Sequence, residues 1–191
     1  VLGRESSGWT SLSSASLPGG VTTGSWYHLV AQASGCTFTV SAMPVGSTAA
    51  PTAFTYTDGG CALTSGAIGV RDQGSTASFR SIAGTAGATA STAVAPYAAP
   101  FARGAAYGWT TYGGTWATTA STETYADSAG GSGDKSVAGS TAWGNYSLTG
   151  DVRLDSLASN ANAGCIVRVT NPAVGADALD GYYPGVTPTG L

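Results

Sequence analysis

From Asn145 to Asp155 the chain reads NYSLTGDVRLD. Tyr146, Leu148, Val152 and Leu154 share one parity, with Gly150 between them, while Ser147, Thr149, Asp151, Arg153 and Asp155 take the other. Side chains alternate across a strand with period two, so this is one apolar face and one polar face. An antiparallel sheet with a core on one side and water on the other requires that alternation. Cys36, Phe38, Val40 and Ala42 alternate in the same way with Thr37, Thr39 and Ser41. Further strands are expected at 9–17, 26–32, 53–57, 66–72, 77–82, 108–116, 123–127, 134–137, 163–170 and 181–186. Turns such as Pro18-Gly19-Gly20 and Asp58-Gly59-Gly60 separate them. Short strands at this spacing predict an all-β sandwich or jelly roll, and no segment carries a helical period.

Composition narrows the function. Charged residues make up 9 % of the 191, against about 25 % in an average soluble domain. A net charge of −3 leaves no basic field for phosphate backbones, which argues against nucleic acid as a partner. No apolar run approaches the roughly 18 residues of a spanning helix, so no membrane insertion is expected. Cys36 and Cys61 flank a strand–turn–strand stretch and are expected to bridge, the alternative being three free buried thiols. Cys165, in AGCIVRV, reads as a small buried hydrophobe. Low charge, Thr/Ser-rich strands and a bridge together point to an extracellular or cell-surface protein. Asn145-Tyr146-Ser147 fits the N-glycosylation pattern.

Ala83 to Pro100, AGTAGATASTAVAPYAAP, is almost all small residues and proline, the composition of a linker, yet it lies mid-chain. Thr187-Pro188-Thr189-Gly190-Leu191 written ahead of Val1-Leu2-Gly3-Arg4 gives a loop entering one continuous strand. The order therefore looks rotated: 101–191 is the N-terminal half of a sandwich, and 1–82, of the same or the next copy, is its C-terminal half. Val1, Leu2, Gly190 and Leu191 would form the junction. Either the chain is a permutant, or it is one period of a head-to-tail array of copies of itself.

Read in that rotated order, the chain runs through GWTTYGGTW (108–116), GDKSVAGSTAWGNYSLTGDVRLDS (133–156), NAGCIVRVTNP (162–172), DALDGYYPGV (177–186), GSWYHLVAQASGCTFTV (24–40) and GAIGVRDQGSTASFRSI (66–82). In these stretches and their order it resembles the concanavalin A-like, laminin G-like sandwich family, in particular the non-catalytic modules attached to extracellular glycoside hydrolases. The resemblance implies an antiparallel two-sheet jelly roll that binds glycans or serves as an adhesive spacer. Members often carry an acidic pair in the first strand, near a calcium site. Here that position reads Pro100-Phe101-Ala102-Arg103, so the pair is missing and no cofactor is expected.

Catalysis of glycoside hydrolysis needs paired carboxylates, and Glu5 and Glu123 each stand alone in the sequence. His28, the one histidine, sits in a strand and reads as a buried structural residue; with one His, no serine or cysteine nucleophile is nominated. The expectation is a non-enzyme with no metal site. A pyranose has polar edges and an apolar face, so its sites combine planar donors and acceptors with an aromatic ring. Arg153, Arg168, Asn171, Asp177, Tyr182 and Tyr183 offer those groups. The five tryptophans read as core, with Trp109 and Trp116, beside Gly-rich turns, as the exceptions. Two functions follow: a structural or adhesive repeat joined head to tail, or a polysaccharide-binding module attached to a glycoside hydrolase.

Overall fold

The alternation around residue 150 becomes the central strand of a sheet in a computed structural model that describes residues 1–6, 8–86, 97–156, 158 and 160–188. This strand, β13 (Tyr146–Leu154), pairs antiparallel with β3 (Trp26–Ser34) on one side and β7 (Ala77–Ala86) on the other. Its apolar parity points inward, with Tyr146, Leu148, Val152 and Leu154 all at 1 % exposure or less. The sheet, here called B, is completed by β10 (Trp116–Thr119) and β11 (Thr124–Asp127) beyond β7, and by β4 (Thr37–Pro44) and β5 (Thr52–Thr57) beyond β3. The two-residue β8 (Tyr97–Ala98) also pairs with β7.

Sheet A faces it in the order β2 (Trp9–Ser13), β1 (Leu2–Glu5), β15 (Asp180–Val186), β14 (Asn162–Thr170), β6 (Ala67–Gln73), β12 (Asp134–Ala138), β9 (Thr110–Tyr112). The two antiparallel sheets form an all-β sandwich, as the alternation predicts. Leu29, Phe38, Ile68, Val70, Phe79, Leu148 and Tyr182 meet in the core between them. Each such aliphatic or aromatic side chain contributes about 1.5–3 kcal/mol by leaving water. The expected disulfide Cys36–Cys61 is present, with the Cα atoms 5.1 Å apart, and Cys165 is free and buried in the core. Among the described residues no helix is long and apolar enough to cross a membrane.

The two halves of the chain complete one another. β6 lies between β14 and β12, and β7 between β11 and β13. The junction differs from a continuous strand. Leu2 to Glu5 run beside Pro184 to Gly181, and the Val1 ammonium donates to the Gly185 carbonyl at 2.8 Å. β15 runs through to the buried Val186, and Val1 and Leu2 lie along its edge. β1 is held on both sides, by β15 and by β2. Gly190 and Leu191 lie outside the described residues. Both ends of the 83–100 stretch also belong to the sandwich: Ala83 and Gly84 pair with Ala98 and Tyr97. The Tyr97 ring meets Trp109 and Trp143. Residues 87–96 lie outside the described residues.

The sheets differ on their outer faces. β3 and β4 alternate between buried and part-exposed residues, whereas β6, β12, β14 and β15 are buried on both faces. The cause is the β14–β15 connection, residues 171–179, which folds back over sheet A. Lys135 Nζ, completely buried, donates to the Ala173 and Gly175 carbonyls at 3.0 and 2.8 Å, and Arg71 to that of Ala176 at 3.0 Å. Leu179 from this strap joins Ala67, Val137, Ile166, Val169 and Tyr183 in a second, smaller apolar cluster.

Candidate functional site

Under one edge of the strap lies a pocket of about 410 Å³, lined by residues of β2, β6, β14 and β15 together with Val1. Arg71 is its centre. On β6, Ile68 and Val70 face the core, so Arg71 and Gln73 project from the outer face. The guanidinium, 2 % exposed, sits 5.8 Å from the Trp9 ring and 5.0 Å from the Tyr183 ring. Its Nη2 donates to Gln73 Oε1 at 2.7 Å and reaches Glu5 Oε1 at 3.2 Å, while Asp177 Oδ1 stands 3.9 Å away. Nη1 donates to Asn162 Oδ1 at 3.4 Å. Arg71 Nε, Glu5 Oε2 and Tyr183 Oη are buried without a hydrogen-bond partner.

Local sequence explains the aromatic wall. Gly3, on β1, lies directly under Trp9, and a Cβ there would fall 2.0 Å from the end of the indole. The ring can therefore lie across β1 and meet Tyr183 edge-on at 5.8 Å, while staying 40 % exposed. Burial pushes the Glu5 carboxyl up to about 7, against the pull of Arg71 and with a further push from Asp177. Burial also lowers the Lys135 ammonium, helped by Arg71 and opposed by Glu5.

An acid whose folded pKa lies above its unfolded one binds more protons when folded. Glu5 therefore adds stability at low pH, which is lost as pH rises from about 4.5 through about 7. Glu5→Gln should flatten that part of the Tm-against-pH curve. An unchanged slope would mean that Glu5 does not titrate in this range.

Of the expected binding residues, the structure brings Asp177 and Tyr183 to this pocket. It disperses the others. Arg153 lies on the outer face of sheet B, where it and Arg80 stack on Trp26 at 4.8 and 4.3 Å. Arg168 is completely buried, 5.1 Å from the Phe38 ring, and donates to the Leu63 carbonyl at 2.7 Å. A bulge in β14 between Val167 and Val169, with Arg168 at φ 55°, reverses the parity that placed this side chain outside. Tyr182 points into the core against Phe38, donating to Asp58 Oδ2 at 2.6 Å. Asn171 binds Asp180 at the foot of the strap.

Other expectations shift as well. Trp109 and Trp116 pack on the core aromatics Phe101, Tyr125 and Phe79, and the exposed indole is Trp9. His28 is not buried; its side chain is 41 % exposed, with Nδ1 2.8 Å from Asp151 Oδ1. The Asn145 amide oxygen accepts the Gly35 N–H at 2.8 Å. Pro100–Arg103 form a short 3₁₀ helix with no acidic residue in its first turn, so these residues do not fit the calcium that the resemblance attaches to them. Arg71, Gln73 and Asn162 are not picked out by the sequence, in which Glu5 reads as a carboxylate standing alone and Trp9 as core. No family model matches the chain, and no curated sequence matches it.

Proposed function

We propose that this sandwich is a non-catalytic, extracellular carbohydrate-binding module whose pocket on sheet A takes a neutral sugar. The observation that carries this is Arg71, held between the rings of Trp9 and Tyr183 with carboxylates of Glu5 and Asp177 beside it. The volume falls within the ~300–1,000 Å³ of small-molecule sites. A sugar hydroxyl is donor and acceptor at once, so it can serve the guanidinium, the carboxylates and the amides of Gln73 and Asn162 together. The exposed indole of Trp9 offers the apolar face of a pyranose its stacking surface. The Arg71 guanidinium is matched by the Asp177 and Glu5 carboxyls beside it, so the pocket has no strong net charge that would favour a charged ligand. The disulfide suits an oxidising compartment.

Assembly by sharing a strand between copies is the weaker reading, because β1 already has a partner along each edge. The carboxylates Glu5 and Asp177 are both committed to Arg71, which makes them poor candidates for an acid–nucleophile pair.

The test is a glycan array followed by calorimetry, with binding in the millimolar-to-micromolar range expected. Trp9→Ala should weaken it roughly tenfold or more. Gly3→Ala should do the same with the fold intact, since the added methyl displaces the indole. Binding that survives both substitutions, or no sugar bound at all, would remove the proposal. Release of reducing ends from a bound polysaccharide would overturn the non-catalytic part.

A further inference from the structure

On the other side of β6 from Arg71, three carboxylates meet at the rim of the sandwich. Asp72 on β6 and Asp134 on β12 are directly opposite in the antiparallel register, and Asp127 ends β11 in the facing sheet. One oxygen from each lies within 4.8 Å of the others, and the residues are 0, 8 and 1 % exposed. Like charges opposite one another on paired strands are destabilising, and burial makes this worse. Among the described residues no Lys, Arg or His forms an ion pair with any of the three.

The surroundings are built for an ion rather than for a shared proton alone. Asp127 Oδ1 is fixed by the Thr115 and Ala129 N–H groups, and Asp134 Oδ2 by the Gly131 N–H at 3.0 Å. Both oxygens of Asp72 and Oδ2 of Asp127 are buried with no hydrogen-bond partner. Gly113, Gly114 and Gly131 wrap the cluster so closely that a Cβ on any of them would fall 2.2–2.7 Å from a carboxylate oxygen or the Trp116 indole nitrogen.

We propose that Asp72, Asp127 and Asp134 bind one calcium ion that ties sheet A to sheet B. All the ligands are hard oxygens, as calcium prefers. Oxygens within 4.8 Å of one another are close enough to share one ion with Ca–O of about 2.4 Å, and three buried carboxylates suit calcium better than magnesium, which usually keeps several waters. The site is separate from Pro100–Arg103, and it stands whether or not the pocket on sheet A binds sugar.

The experiment uses EDTA-treated, dialysed chain titrated with calcium chloride and, separately, with magnesium chloride. Calorimetry should show one calcium per chain, and Tm should rise by several degrees with calcium but much less with magnesium. Asp72→Asn should lose at least tenfold in calcium affinity and most of the Tm shift. Asp134→Asn should behave alike, which covers the case of one variant folding poorly; circular dichroism reports the fold of each. No heat and no Tm shift at millimolar calcium would overturn the proposal. So would undiminished binding in both variants, or an equal response to magnesium.

Discussion

Arg71→Met is expected to cost about 3–5 kcal/mol in urea unfolding at neutral pH and to abolish ligand binding. Methionine keeps most of the volume but removes every donor that holds Gln73 Oε1, Asn162 Oδ1 and the Ala176 carbonyl. It also leaves the fully buried Glu5 facing Asp177 without the guanidinium between them. Burial already holds Glu5 at about 7, so without the guanidinium it takes up a proton at neutral pH, and the cost that remains is that of buried acceptors left without a donor. Two controls separate charge from packing. The loss should shrink as pH falls below about 7, where folded Glu5 is protonated with or without Arg71. The double variant Arg71→Met/Glu5→Gln should recover part of the stability but none of the binding. A single variant within about 1 kcal/mol of the parent would show that the pair contributes little.

The second large effect is expected from Cys36→Ala/Cys61→Ala. The bond closes a loop with a sequence separation of 25 residues, for which chain entropy gives about 3–4 kcal/mol. For a chain of this size that corresponds to a fall of about 6–16 °C in Tm by differential scanning calorimetry. More than loop entropy is involved. The bond fixes the turn at Asp58–Cys61, where the Cys61 N–H donates to the Asp58 carbonyl at 3.0 Å. Asp58 in turn accepts from Tyr182 at 2.6 Å and from Arg4 at 3.0 Å, which links β5's end to β15 and β1 in the facing sheet. A fall of under about 2 °C would mean that the turn holds without the bond.

The sandwich was largely legible because period two is a local signal. Tyr146, Leu148, Val152 and Leu154 declare their face from the sequence, and nothing in β13's surroundings reverses it. Arg168 shows where the same rule fails. One left-handed residue inserts a bulge, and every parity assignment beyond it changes sides. The pocket was half legible. Tyr183 and Asp177 lie close in sequence to aromatic and polar neighbours that attract notice, whereas Glu5 and Arg71 are 66 positions apart and meet only through β1 and β6 in the same sheet. The acidic cluster was not legible at all. Asp72, Asp127 and Asp134 come from three strands and two sheets, and no spacing rule connects them. The strap mattered in the same way, because a run such as Asn171 to Leu179 carries no period that would announce it as a cover for sheet A.

The strap is held through main-chain oxygens: Lys135 and Arg71 grip the carbonyls of Ala173, Gly175 and Ala176. Every amino acid supplies a carbonyl, so the grip does not depend on which side chains stand at those positions. Asp177, next in line, overhangs the pocket and is 45 % exposed at its side chain. The rim can therefore be rewritten residue by residue while its anchorage stays in place. An engineer seeking new ligand preferences would diversify 174–177 and leave Lys135 untouched.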